Sequence, residues 1–153
     1  MSTEKLIIGS DHAGYEMKQA LISFIKDRFH QYEVIDVGTS STDSVDYPIF
    51  GHKVGQAVVE NKCKGIVICG TGIGISIAAN KIQGVRCALC HDATTARLCR
   101  EHNDANVLSL GARIIGLEVA KDAVSVFLTT EPLNEGRHKI RREMIEAVTP
   151  SKI

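Results

Sequence analysis

Short apolar segments alternate along the chain with longer segments of helical period. The short segments have the length and composition of β-strands and lie at residues 6–8, 34–37, 65–69, 86–90 and 107–110. The longer segments carry apolar residues three or four positions apart and lie at residues 13–28, from 48 onward, from the glycines at 70–74 to 81, and at 93–101, 115–128 and 137–149. The alternation predicts a single domain over residues 1–153, a Rossmann-like three-layer αβα sandwich on a five-stranded parallel sheet.

The strand at residues 65–69 is apolar throughout, which predicts a central position in the sheet. Taken in chain order, the strands predict the sheet order 2-1-3-4-5. Ligands of such folds bind beyond the carboxyl ends of the strands. Polar residues and glycines concentrate after these ends, at residues 11–12, 46–47, 69–74, 91–92 and 111–113. We therefore expect the binding site at this edge of the sheet.

Composition and charge narrow the class of protein. The 153 residues are 44% hydrophobic and 24% charged, and 18 Lys and Arg balance 18 Asp and Glu. A formal net charge of zero lacks the basic excess that is typical of nucleic-acid-binding and anionic-membrane proteins. The longest uncharged run, residues 65–80, is too short to span a membrane and is interrupted by glycines. We expect neither nucleic acid nor membrane as a partner.

Five cysteines, an odd number, favour free thiols over a disulfide framework. The first residues lack the pattern of a secretory signal peptide, so a cytoplasmic location is expected. Cys87 and Cys90 form a CxxC motif, which is typical of zinc and redox sites. The motif lies in a strand-like segment, where residues three apart point to opposite faces. Packing in the core is the favoured interpretation, and a zinc or redox protein is the alternative.

The loop Gly70-Thr71-Gly72-Ile73-Gly74 directly follows the central strand. Glycines let the backbone approach a ligand closely, and amides at the start of the following helix attract anions. The loop is not a dinucleotide-binding fingerprint, because Ile75 stands at the third glycine position, and it is not a P-loop. It is expected to bind a phosphate or a developing oxyanion, with a tight turn that binds nothing as the alternative.

Candidate acid–base groups lie next to this loop, after the first strand and before the fifth strand. Cys69 ends the central strand, where a nearby helix N-terminus can activate a thiol as nucleophile or base, although a buried core cysteine is an equally good interpretation. Asp11 and His12 end the first strand. His102 and Asn103 lie in a predicted loop before the fifth strand, and histidine suits proton transfer near neutral pH.

Residues 137–142 form the one dense basic cluster in a chain of zero net charge. Arg137 and Arg141 are four residues apart and share a helical face, so they can bind one anion together. Arg113, after the fifth strand, is a third candidate. A solvent-exposed charged face is the usual alternative. Together with the glycine loop, the arginines favour a phosphorylated metabolite as ligand.

In combination these motifs resemble the type B ribose-5-phosphate isomerases and their relatives that act on other sugar phosphates. The matching segments span almost the whole chain, at residues 9–14, 46–48, 69–81, 102–106, 110–113 and 136–141. The resemblance implies interconversion of D-ribose 5-phosphate and D-ribulose 5-phosphate, in the pentose phosphate pathway, without a metal or cofactor. It also implies the sheet order 2-1-3-5-4 and a homodimer, or a tetramer, whose active sites are shared between chains.

The resemblance assigns roles to individual residues. Cys69 would move a proton between C1 and C2 of the open-chain sugar, and the loop Gly70 to Gly74, with Thr71, would stabilise the enediolate. His102 would assist ring opening and Asp11 would handle a hydroxyl group. Contacts with the sugar or its phosphate are implied for Asp11, His12, Asp46, Tyr47, Asn103, Arg113, Arg137, His138 and Arg141. The alternatives are an isomerase of a six-carbon sugar phosphate, such as allose 6-phosphate or galactose 6-phosphate, and a non-catalytic module that binds a phosphometabolite.

Overall fold

The computed structural model describes residues 2–147, which form five strands and six helices. The strands are β1 (Glu4–Ser10), β2 (Tyr32–Asp36), β3 (Lys64–Cys69), β4 (Cys87–Leu89) and β5 (Val107–Gly111). The helices are α1 (Tyr15–Arg28), α2 (Tyr47–Asn61), α3 (Ile73–Asn80), α4 (Ala93–Asn103), α5 (Leu117–Thr129) and α6 (Arg137–Glu146). The predicted alternation of strands and helices is confirmed.

All strand pairs in the sheet are parallel, and the strand order is β2-β1-β3-β5-β4. This order confirms the one implied by the resemblance, and the order expected from chain sequence alone is wrong. The physical reason lies in the last two strands. β5 is buried along its whole length, whereas the three residues of β4 are all half-buried. The strand with the greater apolar burial therefore takes the interior position, and β4 forms the edge.

Helices cover both faces of the sheet, which confirms the three-layer sandwich. On one face, α1, α4 and α5 pack on the strands through buried side chains such as Leu21 and Phe127. On the other face, α2 and α3 pack through Val54 and Ile75. Within residues 2–147, no helix is both long and apolar enough to cross a membrane.

Most helix boundaries differ from the predicted ones by one or two residues, and three of the differences concern the candidate site residues. α1 begins at Tyr15 rather than residue 13, because a turn comes first in which the Asp11 carboxylate accepts the Gly14 amide at 3.1 Å. α4 continues through Asn103, so His102 is helical and its predicted loop position is wrong. α6 ends at Glu146, and positions 148 and 149 of the predicted helix 137–149 lie outside the described residues.

Candidate active site

Cys69 is the last residue of β3, and its side chain is 4% exposed. The amide of Gly72 donates to Cys69 Sγ at 3.2 Å. Gly72 has φ +76°, in the left-handed region, and is the N-cap residue of α3. The thiol therefore faces a backbone donor at the N-terminal end of a helix.

Hydrogen bonds hold the glycine loop in one conformation. Gly72 O accepts the Ser109 hydroxyl at 2.6 Å, and Thr71 Oγ1 accepts the Ile73 amide at 3.1 Å. Gly70 O accepts the Arg113 amide at 2.9 Å. The first amides of a helix have no partner within it, and because Thr71 Oγ1 takes the Ile73 amide, the next amides of α3 are the ones left to donate to a ligand. The loop is thus rigid and rich in amides, as an oxyanion site requires.

Asp11 and His12 lie beside this loop, at the end of β1. The Asp11 amide donates to Ile68 O at 3.2 Å, which ties the turn after β1 to the end of β3. His12 Nδ1 accepts the Val45 amide at 3.2 Å. In its neutral form the His12 ring therefore carries its proton on Nε2, which is left to donate to a ligand.

Tyr47 and Arg113 complete this end of the sheet. Tyr47 begins α2 after the exposed N-cap residue Asp46, and its ring lies against Gly74, where an added Cβ would be 2.5 Å from Tyr47 Cζ. The Arg113 guanidinium lies over Gly70, where an added Cβ would be 3.2 Å from Nη1. We call the residues gathered here the carboxyl-end group: Asp11, His12, Asp46, Tyr47, Cys69, Gly70, Thr71, Gly72, Ile73, Gly74 and Arg113.

The other predicted residues lie at the opposite end of the sheet. α4 starts beyond the carboxyl end of β4 and returns over 11 residues, or about 16 Å, to the amino ends of the strands. His102 and Asn103 are in its last turn. Asn103 O accepts Arg86 Nε at 2.9 Å, just before β4 begins. Neither residue is near Cys69 of the same chain.

Helix α6 packs beside the end of α4. The His138 ring stacks on the His102 ring with centroids 4.3 Å apart and planes 4° apart. Arg137 and Arg141 are exposed on the same helix. Partial burial, followed by the neighbouring His102 and the α6 arginines, lowers the pKa of His138 below its ordinary value. We call this second set the amino-end group: His102, Asn103, Arg137, His138 and Arg141.

The CxxC cysteines belong to the structural core, as favoured from the sequence. Cys90 is buried with Cys99 of α4, and Cys87 is half-buried. Burial raises the pKa of Cys87, while a hydrogen bond from Cys99 lowers that of Cys90. All five cysteines are free thiols. Among residues 2–147, no group of three or more His, Cys, Asp or Glu side chains is placed to hold a metal ion.

Two residues that support the site were not singled out from the sequence. Ser109 is a hydroxyl in an otherwise apolar buried strand, and this contrast is a usable signal for its bond to Gly72. Arg142 lay within the basic cluster but is 8% exposed, and it donates to Leu133 O at 2.8 Å and to His102 O at 3.4 Å. Nothing in the spacing of the cluster distinguishes this buried arginine from its exposed neighbours.

Comparison with known proteins identifies the family of the chain. The profile of the ribose/galactose isomerase family matches residues 6–145. Ribose-5-phosphate isomerase B of Escherichia coli K12 is 43% identical over 146 residues, covering 95% of this chain and 96% of the relative. Galactose-6-phosphate isomerase subunit LacB of Clostridium acetobutylicum is 38% identical, over 91% of this chain and 82% of the relative. The solved structure of Clostridium thermocellum ribose-5-phosphate isomerase B has 53% identity and a TM-score of 0.89, covering 93% of this chain and 95% of that one. The chain therefore belongs to the ribose/galactose isomerase family and is an isomerase.

Proposed function

We propose that the protein interconverts D-ribose 5-phosphate and D-ribulose 5-phosphate through an enediol intermediate. The single observation that carries this proposal is the Cys69 thiol, hydrogen-bonded by the Gly72 amide at the mouth of an amide-rich loop. The relatives that carry the name ribose-5-phosphate isomerase B favour the five-carbon substrate.

The proposed chemistry needs a base and a stabilised anion together. The proton on the carbon next to a sugar carbonyl is weakly acidic, so a thiolate can remove it only where donors stabilise the enediolate oxygen. Cys69 is the base, returning the proton to the neighbouring carbon, and the loop amides are the donors. A positioned base contributes about 10²–10⁴-fold, and one such donor contributes about 10²–10³-fold. Asp11 holds a substrate hydroxyl.

A complete site requires residues from both ends of the sheet, and therefore two chains. α3 runs between the two ends and exposes Ile73 and Ile77 on one face, four residues apart. α6 exposes Ile140 and Met144 beside the amino-end group. A twofold axis across α3 would bury apolar surface and place the amino-end group of one chain against the carboxyl-end group of the other. We propose this homodimer as the active unit, and a tetramer of two such dimers is the alternative assembly.

An isomerisation assay followed by NMR tests the substrate and the base. We expect higher catalytic efficiency on ribose 5-phosphate than on allose 6-phosphate or galactose 6-phosphate, and about a 10²-fold or greater loss in Cys69→Ala. Cys63→Ala, at a half-buried thiol outside the carboxyl-end group, is the matched control. A preference for a six-carbon sugar would select the alternative substrate, to which the similarity to subunit LacB points. Binding without exchange of the substrate proton in deuterated water would indicate a non-catalytic module.

Mixing two inactive variants tests the shared site. In a heterodimer of Cys69→Ala and His102→Asn chains, one site carries both substitutions and the other carries neither. Random reassociation of equal amounts should therefore restore about one quarter of the wild-type activity. A mixture that stays inactive, although mass spectrometry shows the heterodimers, would contradict a site shared between chains.

We propose the cytoplasm as the location of this activity, in the non-oxidative branch of the pentose phosphate pathway. Five free thiols suit a reducing compartment, where disulfides do not persist. Immunodetection in fractionated cells, with a periplasmic and a membrane marker as controls, checks the location.

A further inference from the structure

The His102–His138 stack joins the residue proposed for ring opening to the helix that carries the phosphate-binding arginines. The two rings are nearly parallel, 4° apart, at a centroid distance of 4.3 Å. At this distance a proton on one ring disfavours a proton on the other, because the two like charges repel. A charge placed beside His138 therefore acts on the His102 ring as well.

Hydrogen bonds donated by Arg142 hold α6 against α4, in addition to the contact between the two rings. Arg142 donates through Nη1 to Leu133 O at 2.8 Å and to His102 O at 3.4 Å, and through Nη2 to Asn134 Oδ1 at 2.9 Å. Because Arg142 is 8% exposed, these bonds anchor the middle of α6 to the last turn of α4. His138, one turn earlier in α6, is thereby kept on His102.

Among the described residues, the groups that lower the pKa of His138 by their charge are cationic or become so on protonation. They are His102 on α4 and Arg137, Arg141 and Arg142 on α6, and partial burial acts in the same direction. A dianionic phosphate placed between Arg137 and Arg141 reverses this balance. An opposite charge within about 4–6 Å favours a protonated imidazole by about 1–3 pH units.

We propose that His138 is a positioning residue that couples phosphate binding to the protonation of His102, so that the stack holds its proton when the substrate phosphate is bound. This inference rests on the proposed function, in which His102 assists ring opening. In that step the C1–O4 electron pair passes to the ring oxygen, which takes the proton from His102. The C1 hydroxyl gives its proton to a base of the facing carboxyl-end group, and the open-chain aldehyde results without any change of oxidation state. With a furanose that lacks the phosphate, His102 would be protonated in a smaller fraction of the molecules and would donate its proton to the ring oxygen less often.

NMR titration of the histidine ring protons in the assembled protein tests the coupling directly. The spectra are taken from about pH 5 to about pH 8, with and without saturating inorganic phosphate. We expect phosphate to raise the titration midpoint of the stacked rings by about one pH unit in the wild type. In His138→Gln the phosphate-induced shift at His102 should fall by more than half. Lys139→Gln, which removes a charge from the exposed side of α6, should retain the shift.

His138→Phe separates charge from stacking, because its flat ring can lie on His102 but cannot titrate. The proposal expects His138→Phe to behave as His138→Gln does. A phosphate-induced shift of His102 that is unchanged in both variants, or is absent in phosphate-saturated wild type, overturns the proposal.

Kinetic measurements distinguish this coupling from a purely structural role of His138, which would affect both reactions below equally. Ribulose 5-phosphate is already open-chain, so exchange of its C1 proton into deuterated water needs no ring opening. In His138→Gln we expect about a tenfold loss on ribose 5-phosphate and a smaller loss in this exchange, with an altered pH profile. Equal losses in both reactions would contradict the coupling. Failure of the proposed function would instead show as no isomerisation by wild-type protein, whatever the NMR titration gives.

Discussion

Lys18 Nζ lies 2.7 and 2.6 Å from the two carboxylate oxygens of Asp36. Lys18 is 0% exposed on α1, whereas the Asp36 side chain at the end of β2 is 37% exposed. Asp36 Oδ1 also accepts the Gly38 amide at 2.9 Å. The ion pair thus fixes the start of the loop whose later residue Val45 donates to His12.

Lys18→Met keeps the apolar stem of the side chain and removes the charge. Breaking a buried ion pair leaves the partner charge uncompensated, and the exposure of Asp36 reduces the cost, so we expect a loss of about 1–3 kcal/mol in the free energy of unfolding. Denaturant unfolding measures it, with Lys26→Met on the exposed side of the same helix as control. Lys18→Met with Asp36→Asn should recover part of the loss. Equal stability of Lys18→Met and Lys26→Met would show that the pair contributes nothing.

Gly72→Ala tests the left-handed turn beside the thiol. At φ +76°, a Cβ on Gly72 would lie 2.6 Å from Leu89 Cδ1 and 2.8 Å from the carbonyl carbon of Leu110. Gly136 also has a positive φ, of +66°, but apart from its chain neighbours no atom of residues 2–147 lies within 4 Å of its Cβ position. Gly136→Ala should therefore cost only the backbone strain, about 1–3 kcal/mol, and Gly72→Ala about 1–3 kcal/mol more from overpacking.

The measurement is thermal or denaturant unfolding of the two variants in parallel. Gly72→Ala should also lose isomerase activity, because relief of the clash moves the amide that donates to Cys69. Equal destabilisation by the two substitutions would mean that Leu89 and Leu110 move away from the added Cβ without a measurable loss of stability.

The fold could be predicted from the sequence where local pattern determines it. Strand and helix periods indicated every element, and glycine and polar residues after β1 and β3 located the carboxyl-end group. The position of β5 between β3 and β4 could not be predicted from chain order, because it depends on the relative burial of two short strands. The family resemblance supplied that order instead.

The separation of the candidate residues into a carboxyl-end group and an amino-end group depends on the length of α4. His102 was expected in a loop before β5, but α4 continues to Asn103 and carries His102 in its last turn to the amino ends of the strands. Helix length is sensitive to how the helix ends, and here Asp104 closes it in the left-handed conformation at φ 44°. Aspartate tolerates that conformation better than most residues, yet its occurrence does not require it.

Ser109→Ala tests whether the loop must be held from the sheet side. The Ser109 hydroxyl donates to Gly72 O at 2.6 Å, and that oxygen also accepts the Ser76 amide at 3.3 Å. Loss of one buried hydrogen bond should cost about 1 kcal/mol of stability and, by loosening the loop, about tenfold in catalytic rate.

Ser125→Ala is the matched control, since its half-buried hydroxyl donates at 2.8 Å to the Lys121 carbonyl within α5. Steady-state kinetics of both variants checks the prediction. A rate in Ser109→Ala equal to that of Ser125→Ala would show that this hydrogen bond does not hold the loop in its active geometry.

The Tyr32 phenol makes the free energy of unfolding depend on pH in the alkaline range. Its hydroxyl donates to Leu128 O at 3.2 Å, and burial, followed by the charge of Glu4, raises the pKa of Tyr32 above its ordinary value of 10.0. Above pH 10 the unfolded chain therefore loses the phenolic proton while the folded chain keeps it. Since the unfolded state then binds fewer protons, the free energy of unfolding falls as pH rises toward the raised pKa.

Tyr32→Phe removes this ionisation and keeps the ring in the core. Between pH 10 and the raised pKa, the free energy of unfolding of the variant should fall less steeply with pH than that of the wild type, whereas below the ordinary value of 10.0 the two slopes should agree. Urea unfolding at a series of alkaline pH values measures both slopes, and Tyr15→Phe at a half-buried position on α1 controls for the loss of a phenol. Parallel curves for wild type and Tyr32→Phe would show that the Tyr32 phenol ionises equally in the folded and unfolded chains.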